Sequence, residues 1–228
     1  MNNGTENFKF EDMKKALIVV DVQNDFCPGG SLAVPEGDKV VPVINDLLPK
    51  FDLIIFTKDW HPARHNGFAS VYKDKKPFDT IERGGGFGSC VHQETLWPDH
   101  CIQNTPGADI HKDIKFENCK GEFYIFKKGE DVGNDGYSAF ESRELAPFLD
   151  GKGISELYIV GLALDYCVRA TALDAARLGF EVVIIEDACK AIDPKICSIQ
   201  DHPIFQDFKK AEIALIKSWG LIEYENSK

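Results

Sequence analysis

The chain has 228 residues, of which 43% are hydrophobic and 28% charged, and its formal net charge is −11. This size and composition predict one α/β domain with a substantial core rather than two small domains. The acidic balance, without a basic cluster, argues against nucleic acid as a partner. No apolar run approaches the roughly 18 residues that cross a membrane, and residues 1–13 lack the apolar core of a signal peptide. A cytoplasmic protein with no membrane partner is therefore expected.

The cysteines agree with that location. There are seven, an odd number, and no two of them form a C-x-x-C pair. Because a disulfide framework needs an even set and a structural zinc knuckle needs paired thiols, reduced cysteines are predicted.

Strands and helices alternate along the chain after residues 1–13, a polar stretch that is predicted to be a flexible extension. The alternation indicates parallel βαβ units with right-handed crossovers, and residues 14–228 are expected to form a single domain. Short apolar runs predict strands at residues 16–20, 53–57, 122–126, 157–160, 182–185 and 213–216. Apolar residues at helical spacing predict helices over residues 38–50, 144–149, 168–179 and 203–210.

Residues 62–121 interrupt this alternation. They hold several Gly and Pro residues, an RGGGFG turn and little sustained periodicity. A stretch of this length without regular structure is usually functional, or an insertion with short elements of its own. The sequence therefore predicts an insertion around 62–121 that covers a cleft.

Cys167 lies at the junction between a predicted strand, residues 157–160, and the helix that follows it. The N-terminal end of a helix offers unpaired N–H groups and a partial positive charge, which favour a thiolate and can hold an oxyanion. In a parallel sheet this junction also lies at the edge where sites form. Cys167 is therefore a candidate nucleophile; the alternative is a small buried apolar residue.

Polar residues also follow the first three predicted strands. Asp21 follows the first strand, Asp59 and His61 follow the second, and Lys128 follows the third. Because the carboxyl ends of parallel strands meet at one edge, these side chains are expected beside Cys167. An ammonium group favours a thiolate and a carboxylate serves as base and then acid, so Asp21, Lys128 and Cys167 form a candidate catalytic set. The alternatives are a turn-capping Asp21 and a solvated Lys128.

A metal site is predicted beside this set. Asp59 and His61, two residues apart in an extended segment, can present an oxygen and a nitrogen to one ion, and His65 and His100 are available to add to them. Such a mixed donor set accepts zinc, iron or manganese. The alternative is an incidental pair without a metal.

Three aromatic residues in loops, Phe26, Trp97 and Tyr137, are candidates for the walls of a pocket. Packed aromatic side chains of this kind suit a small ligand with a flat ring. The sequence therefore favours a small-molecule substrate over a macromolecular one.

Six segments are distinctive in combination: DVQNDFCPGGSLAV from Asp21, TKDWHPARHNGFAS from Thr57, LWPDHCIQNTPGA from Leu96, FKKG from Phe126, GYSAFES from Gly136 and GLALDYCVRATALDA from Gly161. Together and in this order they resemble the isochorismatase-like cysteine hydrolases and, within that family, the nicotinamidases (pyrazinamidases). The resemblance extends over residues 15–219. DVQNDF or GLALDYC alone would indicate only the superfamily.

The resemblance implies a three-layer α-β-α fold with a six-stranded parallel sheet. It implies a hydrolase that converts nicotinamide to nicotinate and ammonia through a cysteine thioester, in NAD salvage, with pyrazinamide as a further substrate. It is also compatible with a homo-oligomer.

The same resemblance implies roles for individual residues. The catalytic triad is Asp21, Lys128 and Cys167. One divalent metal, zinc before iron or manganese, is bound by Asp59, His61 and His100, with His65 as an optional fourth ligand. Backbone N–H groups of Ala163 and Cys167 form an oxyanion hole after a cis peptide between Leu162 and Ala163. Substrate contacts come from Phe26, Trp97, Tyr137, Leu162 and Ala163.

Two features depart from the family pattern or leave a choice open. The segment 73–94 matches no motif of the family, so its role over the cleft is open. Lys127 lies beside Lys128, and Lys128 is chosen because the family lysine commonly precedes a glycine.

Three rival functions remain for comparison. An isochorismatase proper would act on an ether and lack the cysteine, so Cys167 argues against it. Another is a different amidase or an N-carbamoyl hydrolase of the same superfamily, which shares the triad but does not need the metal histidines; the DWH and WPDHC motifs argue against it. The third is a catalytically silent metal-binding or interaction protein on this scaffold. The three filled catalytic positions argue against that alternative.

Overall fold

The structure is a computed structural model that describes residues 14–84, 92–196 and 202–227. The predicted extension at residues 1–13 and two of the cysteines, Cys90 and Cys197, lie outside these ranges. None of the described cysteines forms a disulfide: Cys27, Cys101, Cys119, Cys167 and Cys189.

A six-stranded parallel sheet with helices on both faces forms the fold, which confirms the predicted fold class. The strands in chain order are β1 (Lys14–Val20), β2 (Leu53–Asp59), β3 (Thr80–Arg83), β4 (His92–Thr95), β5 (Glu122–Lys128), β6 (Ile154–Leu162), β7 (Glu181–Lys190) and β8 (Ala214–Ile216). The helices are α1 (Val40–Leu47), α2 (Leu145–Gly151), α3 (Arg169–Arg177), α4 (Pro203–Lys210) and α5 (Leu221–Asn226). Among these described helices, none has the length and apolar character that a membrane crossing requires.

The strand order in the sheet is β5-β2-β1-β6-β7-β8, and all neighbouring pairs are parallel. The chain runs from β1 outward to β2 and β5 and then returns to place β6 on the other side of β1. The direction of winding therefore reverses between β1 and β6. In open α/β sheets, ligands bind beyond the carboxyl ends of the strands at this reversal point.

The central strand shows why the apolar runs are unbroken. Leu17 and Val19 of β1 pack in the same cluster as α1, whereas Ala16 and Ile18 pack with α2, α3 and α4 on the opposite face. All four side chains are buried. Because both faces of the strand are covered, every residue from 16 to 20 is apolar rather than every second one.

Three elements, β3, β4 and α5, were not predicted from the sequence. Within residues 62–121, β3 and β4 form an antiparallel pair that the sequence does not predict, because β3 is mostly exposed and lacks a buried apolar stripe. The helix α5 at the C-terminal end is likewise not predicted. Its only buried residue is Leu221, so it carries little helical periodicity.

Candidate active site

Four adjacent strands deliver the predicted catalytic residues and the metal-ligand candidate Asp59 to one place. Asp21 directly follows β1, Asp59 ends β2 and Lys128 ends β5. Cys167 lies in a π-helical turn, residues 164–168, that connects β6 to α3. In the parallel register Asp59 is the partner of Lys128, so their side chains leave the sheet side by side.

Lys128 is the centre of this cluster. Its buried ammonium nitrogen lies 2.7 Å from Oδ2 of Asp21 and 3.4 Å from Sγ of Cys167, and it donates a hydrogen bond to Oδ1 of Asp59. Burial alone would lower the pKa of Lys128, but the two carboxylates raise it well above its usual value. Lys128 therefore remains a cation at all working pH values.

Lys127 has a different environment, which bears on the choice between the two lysines. Its side chain is exposed, and its Nζ lies 4.4 Å from the ring centre of Trp60. Successive side chains of a strand point to opposite sides, so only one of two neighbouring lysines can reach the site. Gly129 must follow Lys128, because a Cβ there would lie 2.4 Å from Cε1 of His61.

Asp21 is held as a fixed acceptor beside the thiol. Its carboxylate accepts a hydrogen bond of 2.6 Å from the hydroxyl of Thr57, and the same hydroxyl oxygen accepts from the Asp21 backbone N–H at 3.1 Å. Burial raises the pKa of Asp21 to about 6, against the opposing charge of Lys128. A carboxyl group with this pKa can both accept and return a proton near neutral pH.

The thiol of Cys167 corrects one sequence expectation. The position at a helix start predicts a lowered pKa, but burial raises the pKa of Cys167 well above its usual value, and the charge of Lys128 only partly opposes this. The carboxylates of Asp21 and Asp59 act in the same direction as burial. A carboxylate oxygen of each lies within 4.8 Å of Sγ. The resting cysteine is therefore a thiol that needs a base, and Asp21 is within reach.

Asp59, His61 and His100 offer one oxygen and two nitrogens that all lie within 4.8 Å of one another. Nδ1 of His61 donates to the carbonyl of Gly129 at 3.0 Å, and Nδ1 of His100 donates to the carbonyl of Pro98 at 2.7 Å. A carbonyl can only accept, so each Nε2 is left as an acceptor, and each faces Oδ2 of Asp59. This arrangement fits a divalent metal with two neutral imidazoles and one carboxylate.

His65 lies next to this group but is engaged elsewhere. Its ring centre is 4.4 Å from that of His61. Nε2 of His65 donates to the carbonyl of Asn134 at 2.8 Å, and Nδ1 accepts from the backbone N–H of Gly67 at 3.0 Å. Both ring nitrogens are thus hydrogen-bonded to backbone, and neither is directed at Asp59.

Because His61 and His100 face Asp59 and His65 does not, their substitutions are expected to affect metal binding differently. We expect His61→Ala and His100→Ala to weaken metal binding by more than about a hundredfold, since loss of a direct ligand exceeds the usual effect of losing a supporting residue. His65→Gln is expected to change metal affinity by less than about tenfold. Titration of the purified, metal-free variants with metal measures these affinities. Equal loss of metal in His65→Gln would make His65 a ligand.

A pocket that is partly open to solvent lies above Cys167. The predicted residues Phe26, Trp97, Tyr137 and Ala163 line it, whereas the side chain of Leu162 is buried and does not. The peptide between Leu162 and Ala163 is cis, as the resemblance implies. The sequence analysis missed further lining residues: Leu32, Gly67, Phe68, Asp135, Tyr166 and Ile192.

Two of the missed residues have a traceable origin. Tyr166 directly precedes Cys167 and packs against Trp97, with ring centres 4.8 Å apart. Ile192 is brought in by Asp165, whose carboxylate accepts from the backbone N–H groups of Ile192 at 2.9 Å and Asp193 at 3.0 Å. Tyr166 could have been predicted as a pocket residue because it is next to the nucleophile in the sequence. Ile192 could not, because its position depends on hydrogen bonds to Asp165 that the sequence does not reveal.

The isochorismatase domain family matches residues 15–198 of this chain. The chain belongs to this family. A nicotinamidase from Acinetobacter baylyi is 46% identical over 184 residues, which are 78% of this chain and 82% of that protein. A nicotinamidase/pyrazinamidase structure from Acinetobacter baumanii has a TM-score of 0.81 at 38% identity and covers 92% of this chain and 99% of its own. The pyrazinamidase of Pyrococcus horikoshii in complex with zinc has a TM-score of 0.70 at 40% identity, with coverages of 90% and 99%.

Membership of the isochorismatase family accounts for the arrangement of the site on the sheet. The family match includes β1, β2, β5 and β6, whose carboxyl ends carry the cluster around Lys128. It also includes residues 73–94, for which the sequence offered no motif. The resemblance read from the six sequence segments is therefore confirmed.

Proposed function

We propose that this protein is a nicotinamidase, which hydrolyses nicotinamide to nicotinate and ammonia and thereby serves NAD salvage. One observation carries the proposal: buried Lys128 contacts Asp21, Asp59 and Cys167, and Asp59 and Cys167 line a pocket together with His61 and His100. The relatives named nicotinamidase and pyrazinamidase support the substrate. Pyrazinamide, which has the same carboxamide on a related ring, is expected to be a second substrate.

In the first half of the reaction, Sγ of Cys167 attacks the carboxamide carbon while Asp21 takes the thiol proton. The buried position of both groups keeps the proton transfer away from bulk water. Asp21 then returns the proton to the departing nitrogen, the C–N bond breaks, and ammonia leaves a thioester on Cys167. In the second half Asp21 removes a proton from water, which attacks the thioester and releases nicotinate and the free thiol.

Lys128 supplies the positive charge that offsets the negative charges formed on Asp21 and Cys167 during this cycle. Its positive charge lies against both Asp21 and Sγ of Cys167, so it stabilises the carboxylate before proton transfer and the sulfur anion during it. Its raised pKa means that it does not itself exchange protons. We therefore assign the proton shuttle to Asp21 and the electrostatic role to Lys128.

The tetrahedral oxyanion needs hydrogen-bond donors near Cys167. The backbone N–H groups of Ala163 and Cys167 are proposed for this role, because Ala163 directly precedes the π-helical turn that contains Cys167 and both residues line the pocket. Each such donor typically contributes on the order of a hundredfold or more to kcat.

Asp59, His61 and His100 would hold the divalent metal, for which zinc is favoured by the zinc complex of the pyrazinamidase relative. When bound, the metal would supply a Lewis acid for the pyridine nitrogen of the substrate, and this would orient the ring. Phe26 and Trp97 are proposed to enclose the ring, and both line the pocket. Iron or manganese would suit the same donors.

The insertion around residues 62–121 is proposed to cover the cleft. It provides five of the lining residues: His65, Gly67, Phe68, Trp97 and His100. A sixth lining residue, His61, lies just before it. Residues 14–228 are proposed to act as a single domain in the cytoplasm. The free thiols of the described part of the chain support a reducing compartment.

Ammonia release from nicotinamide by the purified protein tests the proposed function. We expect release that falls when a chelator removes the metal and returns when zinc, iron or manganese is added. An intact, metal-loaded protein with reduced Cys167 that releases no ammonia would overturn the substrate assignment. The remaining candidate would then be an amidase of the same family with another substrate.

A further inference from the structure

Gln23 is a fully buried polar residue that takes no part in the proposed reaction. It lies two residues after Asp21, in the loop that follows β1. Its Oε1 accepts a hydrogen bond from the backbone N–H of Asp59 at 2.8 Å, and its Nε2 donates to the backbone carbonyl of Asp59 at 2.9 Å. Nε2 also donates to the carbonyl of Ala108 at 2.9 Å. The side chain of Gln23 thus binds both backbone groups of Asp59 and connects them to the insertion.

The backbone of Asp59 needs such a partner because β1 leaves the sheet before β2 ends. The ladder between β1 and β2 ends at Phe56 of β2, and Asp21 has a left-handed φ of 47°, which turns the chain away from the strand. Beyond Phe56, β2 continues to Asp59 along β5. Trp60 donates to the carbonyl of Lys128 at 2.9 Å, so in this parallel pair the N–H and carbonyl of Asp59 point to the opposite side, where β1 has already turned away.

The amide of Gln23 takes the place of the missing strand. A carboxamide carries an acceptor oxygen and two N–H donors, so one side chain can pair with an N–H and a carbonyl together. Asp59 is 3% exposed. Without Gln23, its backbone N–H and carbonyl would therefore be buried and would lose their hydrogen-bond partner, which is unfavourable.

The carboxylate of Asp59 makes the position of this backbone important for the site. Oδ1 accepts a hydrogen bond from Lys128, while Oδ2 lies 3.4 Å from Nε2 of His61 and 3.9 Å from Nε2 of His100. One carboxyl group therefore faces the catalytic lysine with one oxygen and the two imidazoles with the other. Because an aspartate side chain is short, a displaced backbone would move both oxygens together.

We propose that Gln23 is a positioning residue, which holds the backbone of Asp59 so that its carboxylate lies between Lys128 and the two histidines. This inference rests on the proposed function, because it takes Asp59, His61 and His100 as the metal ligands. Gln23 is not among the residues that line the pocket, and it acts through Asp59. Loss of a residue that supports a ligand in this way typically weakens metal binding by about tenfold to a hundredfold.

Asn45 provides a matched control for a purely structural role. This buried residue of α1 makes the same kind of contact: Nδ2 donates to the carbonyl of Asp113 at 2.8 Å, and Oδ1 accepts from the backbone N–H of Lys115 at 2.9 Å. Asn45 therefore also connects the insertion to the rest of the fold, but neither it nor these two partners line the pocket. Asn45→Leu and Gln23→Met each replace an amide by an apolar side chain of similar size.

Metal affinity measured without substrate separates positioning from stability. The purified, metal-free variants are titrated with Co²⁺ against a competing chelator, at a temperature at which thermal unfolding shows that each is folded. We expect Gln23→Met to bind Co²⁺ about tenfold to a hundredfold more weakly than the unsubstituted protein. The visible absorption of the bound ion, which depends on ligand geometry, should also shift. Asn45→Leu is expected to lower the unfolding temperature while Co²⁺ affinity stays within about twofold and the absorption is unchanged.

Unchanged affinity and absorption in Gln23→Met, or an equal loss of affinity in Asn45→Leu, would overturn the inference. If Gln23→Met does not fold, Gln23→Glu takes its place, because it keeps the size and the acceptor toward Asp59 but loses at least one of the two donors. The same direction of change is expected. Failure of both variants to fold would assign Gln23 to stability alone and overturn the positioning role.

The titration does not depend on the substrate, so it distinguishes this inference from the proposed function. Weaker Co²⁺ binding by Gln23→Met, in a protein that releases no ammonia from nicotinamide, would support the positioning role and remove the substrate assignment. Ammonia release with unchanged Co²⁺ binding in Gln23→Met would leave the function standing and remove only the role of Gln23. An unsubstituted protein that binds no divalent ion would contradict both the metal site and the inference.

Discussion

Cys167→Ala is expected to lower kcat for nicotinamide hydrolysis by about 10⁴-fold or more, because the thioester cannot form without the sulfur. The fold should persist, since Cys167 is a small side chain in a turn and the substitution removes one atom. We expect the free energy of unfolding to change by no more than about 1 kcal/mol. Ammonia release and thermal unfolding of the same preparation measure the two effects.

Cys119→Ala is the matched control, because Cys119 is a free, partly buried thiol outside the pocket. It should retain the activity of the unsubstituted protein. Turnover by Cys167→Ala at more than a few per cent of the original rate would contradict covalent catalysis by this residue.

Lys128→Met is expected to be damaging to both stability and activity. Methionine has a similar length but no charge, so Asp21 and Asp59 are left buried without their shared cation. Removing one member of a buried ion pair typically costs about 3–5 kcal/mol of unfolding free energy. Loss of the charge beside Sγ should also lower kcat by at least about a hundredfold. Denaturant unfolding and steady-state kinetics of the zinc-loaded variant measure these two effects.

Lys127→Met provides the comparison at the adjacent position. This lysine is exposed and contacts only the face of Trp60 among the interactions described for its ammonium group. We expect less than about 1 kcal/mol of destabilisation and unchanged kinetics. If the two variants behaved alike, the assignment of Lys128 to the triad would be wrong.

The sheet could be predicted from sequence because its four inner strands, β1, β2, β6 and β7, are buried on both faces and read as unbroken apolar runs. The edge strand β5 also reads as an apolar run, although most of it is exposed. The predicted ends of four strands, β2, β5, β6 and β7, were too early, however. β2 was expected to end at residue 57 and β5 at residue 126, yet their ladder continues to the pairing of Asp59 with Lys128. The polar residues that build the site end the apolar run while their backbone groups continue to pair.

The part of the site that could be predicted from sequence consists of the polar residues at the strand ends. Asp21, Asp59, Lys128 and Cys167 lie together as expected, because parallel strands bring their carboxyl ends to one edge. The protonation of Cys167 was not predictable, since its burial depends on side chains that come from distant segments. The position of Asp135 in the pocket wall was not predictable either, because Asp135 reaches the pocket through a loop without periodicity.

The most direct test of the account is to identify the covalent intermediate. Nicotinamide is mixed with an excess of enzyme, the reaction is stopped with acid at successive times, and the digested protein is analysed by mass spectrometry. We expect a nicotinoyl group on the peptide that contains Cys167, formed as ammonia is released and lost as nicotinate appears. Stoichiometric ammonia release with no acylated peptide at any time, or an acyl group on another residue, would contradict the cysteine thioester mechanism.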